Sequence, residues 1–134
     1  MSNLVAVEAT NMLNASLAKA SYTATTSPVM IRLMVSGTTS TASTAGSELT
    51  TGGGYTAGTG QSLTAALGTA SGGSITTTSA VVFSNMPACT IVGIEVWDSN
   101  ATPVRKWFGS ITSTVVAAGN TLQFNSGSIT LSLS

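Results

Sequence analysis

In Ile129-Thr130-Leu131-Ser132-Leu133 apolar and hydroxyl side chains alternate strictly. A period of two belongs to an extended chain with one dry and one wet face, so this stretch predicts a strand with Ile129, Leu131 and Leu133 turned to a core. Leu122 and Phe124 continue the period, and Asn125-Ser126-Gly127 between them is a turn signal. Residues 29–35 form another strand-length apolar run, bounded by Pro28 and Ser36-Gly37. Further candidates are 79–83, 90–97, 104–111, 113–116, 120–124 and 128–133. Short strands with frequent Gly, Ser and Asn turns, and no helices between them, predict an all-β chain. The expected architecture is an antiparallel, jelly-roll-like β-sandwich with one short N-terminal helix.

The helix candidate is residues 9–20. Ala9, Leu13 and Leu17 recur every fourth residue with Met12 alongside, giving a narrow apolar stripe. Thr10 is the expected N-cap, and Lys19 stands near the C-terminal end, where a cation complements the dipole. Asn14 and Ser16 weaken the intrinsic propensity, so docking must stabilise this helix. It either covers an open end or edge of a sheet or reaches onto a neighbouring subunit. Residues 1–27 are accordingly expected as an arm, and 28–134 as a single sandwich domain. Within the latter, residues 36–73 are dense in Thr, Ser, Ala and Gly and predict loops or edge strands whose job is contact with another protein.

The chain has four basic and four acidic side chains among 134 residues, no histidine and one cysteine. A protein that grips phosphate backbones needs a stripe of cations, so a nucleic-acid partner is not expected. One cysteine forms no intramolecular disulfide, and without histidine or a cysteine cluster no metal site is expected. A hydrophobic content of 43% opposes intrinsic disorder. No apolar run is long enough for a membrane span, and the start Met1-Ser2-Asn3-Leu4 has no cationic region of a secretory signal. The expected compartment is a host cytoplasm or a particle assembled there.

Catalysis needs groups that move protons or attack. Without histidine no Ser-His-Asp or Cys-His pair can be built. Glu95 and Asp98 are three apart, which on a regular strand puts them on opposite faces, so a paired-carboxylate glycosidase would need Glu8 or Glu48 as a partner. Cys89 precedes an apolar run and reads as a buried, inert thiol. Gly52-Gly53-Gly54 lacks the Gly-Lys-Ser/Thr ending of a phosphate loop. No enzyme and no cofactor are expected. If 90–97 and 104–111 form a hairpin across 98–103, Arg105 and Lys106 face Glu95 and Asp98, worth about 0.2–1 kcal/mol per cross-strand pair. Trp97 and Trp107 read as anchors of the core or of a subunit contact. A neutral surface rich in Ser and Thr, about a third of the chain, repels its own copies little and lacks the lysines that normally guard sheet edges. Such a chain leans toward structural work in many copies.

Several segments, in order, resemble a family of small bacteriophage virion proteins labelled tail fibre, minor tail or capsid decoration proteins. They are Asn11-Met12-Leu13-Asn14-Ala15-Ser16-Leu17, Tyr22-Thr23-Ala24-Thr25, Glu48 through Gly52-Gly53-Gly54-Tyr55, Val92-Gly93-Ile94-Glu95-Val96-Trp97-Asp98, Lys106-Trp107-Phe108-Gly109 and Ala118-Gly119-Asn120-Thr121-Leu122-Gln123-Phe124. Members commonly carry an arginine soon after Gly-Gly-Tyr, where this chain has Thr56-Ala57-Gly58, so a contact made by that arginine is lost or replaced. The resemblance implies a β-sandwich virion component without catalytic residues. The leading expectation is a capsid decoration (cement) protein on the outer capsid surface, with the major capsid protein and copies of itself as partners and a trimer as the expected oligomer. The alternative is a tail-associated fibre or baseplate accessory that touches the host surface. The expected contact residues are Met12, Leu13 and Leu17 on the helix and Gly52, Gly53, Gly54 and Tyr55 in the loop.

Overall fold

The computed structural model describes residues 2–36 and 40–133. The expected turn at Ser36-Gly37 and the outer limits of 1–27 and 28–134 reach residues 1, 37–39 and 134, which lie outside the described residues. Among the described residues, nine strands and one α-helix follow in the order β1 (Ser2–Leu4), α1 (Ala6–Ser16), β2 (Met30–Val35), β3 (Gln61–Ser62), β4 (Ser74–Thr76), β5 (Val81–Phe83), β6 (Cys89–Trp97), β7 (Arg105–Val116), β8 (Leu122–Phe124) and β9 (Thr130–Ser132), with a 3₁₀ turn at Thr64–Ala66. They build a seven-stranded sheet in the order β3-β2-β6-β7-β1-β9-β4 and a two-stranded sheet of β5 and β8. The chain is all-β with one short helix. Its strands divide seven and two, which is not the even partition of a jelly roll.

Alternation decides the layers. Ile31, Leu33, Ile94 and Val96 point from β2 and β6 into the core, where Val81, Phe83 and Leu122 of the second sheet meet them. Phe83 lies between Tyr55, tilted against it at a centroid distance of 5.9 Å, and Phe124, edge-on at 6.3 Å. The other face of β6 carries Glu95 and Trp97. The predicted hairpin is present as β6 and β7, with 104–111 and 113–116 fused into one strand whose register slips between Ser110 and Thr114. At the C-terminus Ile129 and Leu131 are buried as the alternation requires, but Leu133 is exposed because β9 stops at Ser132.

The N-terminus differs most from expectation. Residues 2–4 pair antiparallel with β7 and parallel with β9, so the segment expected as an arm supplies an interior strand of the large sheet. The helix begins at Ala6 rather than Ala9. Its N-cap position is Val5, with no side-chain cap, while Val5 N–H donates to Lys106 O and Ala6 N–H to Ala42 O. Tertiary carbonyls thus take two amides at this helix start, a job that a cap residue does elsewhere. Thr10, expected as the cap, sits mid-helix and donates to Ala6 O at 2.9 Å. The helix ends at Ser16, four residues early. Ala18 adopts φ +54°, with Lys19 N–H on Asn14 O and Ala18 N–H on Ala15 O, a left-handed ending usually written with glycine.

Deleting residues 2–4 is expected to remove hydrogen-exchange protection at residues 107–109 and 131, because β1 is the strand that joins β7 to β9. Unchanged protection there would show that the sheet closes without it.

Candidate functional site

The charged residues are where this chain keeps its chemistry, and the β6–β7 hairpin sorts them onto two faces. Lys106 occupies a register slip opposite Val96 and Trp97, so Arg105 and Lys106 leave the strand on opposite sides.

On the face away from the core, Glu95 is 1% exposed. Arg105 Nη1 lies 3.2 Å from its Oε1. Gly46 N–H donates to the same oxygen at 2.8 Å, the Ser40 hydroxyl also donates to it, and Trp97 Nε1 donates to Oε2 at 2.9 Å. The guanidinium of Arg32 stacks over Trp97 at 4.4 Å and lies 3.6 Å from Glu48. Glu48 in turn accepts the Tyr55 hydroxyl and Gly58 N–H, each at 2.8 Å. One network therefore runs from Tyr55 through Glu48, Arg32, Trp97 and Glu95 to Arg105. Residues 40–48 cover it.

Tyr55 explains the glycine run before it. Its hydroxyl accepts Leu33 N–H at 3.1 Å, satisfying β2 where β3 has ended and only single bridges follow. To bring the ring there, the loop lies against the end of β5. A Cβ on Gly53 or Gly54 would strike the carbonyl oxygens of Asn85 and Ser84. The Gly52–Tyr55 motif, expected as a partner contact, thus holds a buried tyrosine that is 2% exposed. Burial pushes the Tyr55 hydroxyl well above the ordinary tyrosine range, and Glu48 adds to this while the Leu33 amide opposes it.

On the opposite face Lys106 Nζ lies 3.0 Å from Glu8 and 3.9 Å from Asp98. Glu8 also accepts the Tyr22 hydroxyl, and Asp98 accepts Val104 N–H at 2.8 Å and Asn100 Nδ2 at 3.0 Å. Burial first, then Glu8, raises Tyr22. This centre lies between two hollows. One, of about 250 Å³, is apolar and lined by Leu4, Met12, Val29, Leu67, Trp107 and Leu131. The other, of about 240 Å³, is polar and includes Asn11, Ser21, Asp98 and Asn100. Glu8, Tyr22 and Lys106 border both.

Of the expected contact residues, Leu13 and Leu17 are 59% and 62% exposed, Met12 is half-buried against the apolar hollow, and Tyr55 is core. The apolar stripe read from the sequence faces outward, and the residue that α1 buries is Glu8. Trp97 belongs to the ionic layer, whereas Trp107 packs on the core. Cys89 is half-buried rather than buried, and burial raises its thiol. Sequence reasoning missed Tyr22 and the 40–46 segment as parts of the ionic centres. Their partners are 14 and 49–55 residues away, beyond any local pattern. Among the described residues, no three His, Cys, Asp or Glu side chains converge on a metal position, and no helix is long and apolar enough to cross a membrane.

No family model matches the chain, and neither the curated proteins nor the solved structures contain a significant match.

Removing one member of a buried ion pair leaves the other uncompensated. Glu95→Ala is expected to lose about 3–5 kcal/mol of stability in urea unfolding, while Lys19→Ala on the surface stays within about 0.5 kcal/mol. A second expectation concerns alkali. Tyr55 and Tyr22 hold their protons above the ordinary value of 10.0, so their stabilising contribution is complete below that pH and falls as pH rises beyond it. The urea midpoint should drop above pH 10, and Tyr55→Phe, less stable at neutral pH, should show a shallower alkaline slope.

Proposed function

We propose that this chain is a structural protein of a bacteriophage virion, a capsid decoration protein that binds the outer shell in many copies. The observation that carries this reading is the placement of charge. Seven of the eight charged side chains take part in internal ion pairs, and Lys19 is the one left outside them among the described residues. The exterior is thus mostly hydroxyl and methyl groups. Such a surface neither repels its own copies nor attracts polyanions, and many weak contacts on a repetitive shell sum to firm attachment.

A role in contact rather than turnover is supported by the carboxylates. All four sit against cations, and Glu95 and Asp98 are almost wholly buried beneath their donors. Glycoside hydrolysis needs two carboxyl groups free to face a sugar across an open cleft. The ordered resemblance of the segments described above to small virion proteins supports the same reading.

Quantitative mass spectrometry of purified particles tests it. Copy numbers in the hundreds, lost when the heads are stripped of surface proteins, are expected. A few copies that travel with isolated tails would replace the decoration role by the tail-associated one, and absence from the particle would remove both.

A further inference from the structure

We propose that copies of this chain join head to tail, the end of α1 of one copy filling the paired hollows of the next. The plug is Leu13, Leu17 and Lys19; the socket is the apolar hollow with the adjoining Glu8–Asp98–Lys106 centre. This contact is a property of the isolated chain and does not rest on the virion reading.

Charge complementarity is the first argument. Arg32 is matched to Glu48 and Arg105 to Glu95, one to one. At the socket a single ammonium, Lys106, serves two carboxylates, Glu8 and Asp98, leaving one negative charge in excess. The chain as a whole is neutral, so the balancing cation exists, and it is Lys19, exposed and outside every ion pair of the described residues. A neighbour's Lys19 at the polar hollow restores the balance that the other centre already has.

Shape and polarity supply the second argument. Leu13 on α1 and Leu17 at its C-terminal cap stand one turn apart, joined by Leu17 N–H to Leu13 O, and form an apolar pair more than half exposed. An apolar cavity of ~150 Å³ accepts a benzene-sized group, so the hollow of about 250 Å³ has room for two leucine side chains. Its walls include Leu131, Val96 and Trp107 of the sheet, so the plug would extend the protein's own core. Lys19 lies two residues beyond Leu17, and in the socket the polar hollow adjoins the apolar one at Glu8, Tyr22 and Lys106.

The third argument sets the symmetry. Glu8 and Met12 line the socket from one side of α1, whereas Leu13 and Leu17 lie on the opposite side at 100° per residue. Plug and socket therefore point in different directions, and the contact is heterologous: repeated from copy to copy it builds assemblies of more than two copies, a ring where the rotation closes and an open chain where it does not.

Native mass spectrometry of the full chain over a range of concentrations is the test. The wild type should form assemblies larger than a dimer that grow with concentration or close at a fixed number of copies. Leu17→Asp with Lys19→Glu spoils only the plug, and Asn11→Lys, at an exposed position of the polar hollow, spoils only the socket. Each variant should run as a monomer, with the thermal transition that the wild type shows when diluted to its monomer. Mixed, they should form a one-to-one heterodimer and nothing larger, because one intact plug meets one intact socket. A wild type that stays monomeric or stops at a dimer, an assembly that survives the plug substitutions, or a mixture that remains monomeric would overturn the proposal.

Discussion

Glu95 lies under residues 40–48 with almost no surface in water, and a lone carboxylate in that position would cost more than most domains have to spare. It is tolerated because four donors converge on it: Trp97 from its own strand, Arg105 from across the hairpin, and Ser40 and Gly46 from about fifty residues away. The same requirement fixes much else. Arg105 must leave β7 on the side of Glu95, which sends Lys106 to the other face through the register slip. Lys106 there calls for Glu8, and Glu8 holds α1 and Tyr22 against the end of the sheet. A few ionic groups thus set the register of the central hairpin, the seat of the helix and the path of the covering loop. Apolar burial supplies the bulk of the stability. The buried charges select one arrangement among those that apolar patterning alone would allow.

That division explains what was legible in the sequence. The strands of the β6–β7 hairpin, β2, β8 and β9 carry their own period or apolar run, and their approximate positions follow from it. Elements whose partners are remote carry no such mark. Ser2–Leu4 is three residues long and becomes a strand because β7 and β9 leave a slot. The helix start has no cap signature because carbonyls of Lys106 and Ala42 replace it. Its end has no glycine because Ala18 takes the left-handed turn. On α1 the stripe Ala9, Leu13, Leu17 reads as an inward face by hydrophobicity, yet the helix turns inward the face with Glu8, which meets Lys106 and the Tyr22 hydroxyl there. The Gly-Gly-Gly-Tyr motif was visible, but its purpose was not, since it depends on the Ser84 and Asn85 carbonyls some thirty residues on.

Concentrating the charges inside has a consequence outside. Solubility is commonly maintained by exposed charges of both signs, and this chain has spent nearly all of them on its interior. Sheet edges are then the first hazard, because lysine and proline are the usual guards. Here the guards are geometric. The outermost strands are short, two residues at β3 and three at β4. The free side of β4 is further covered by the chain just before it, through Gly68 N–H to Thr76 O, Thr78 N–H to Ala66 O and a bridge between Ser71 and Ser74.

With the edges closed in this way, copies that associate must use side chains rather than strand pairing. The exposed apolar groups on α1 and the hollow beside it are then the features with unspent burial energy, and the uneven charge at Glu8, Asp98 and Lys106 gives that energy a direction. An apolar pair without the nearby lysine could settle into many poses on a neutral neighbour. A lysine without the leucines would be a screened surface charge of little consequence. Together they would define one pose, because the apolar hollow and the unevenly charged centre adjoin at Glu8 and Lys106.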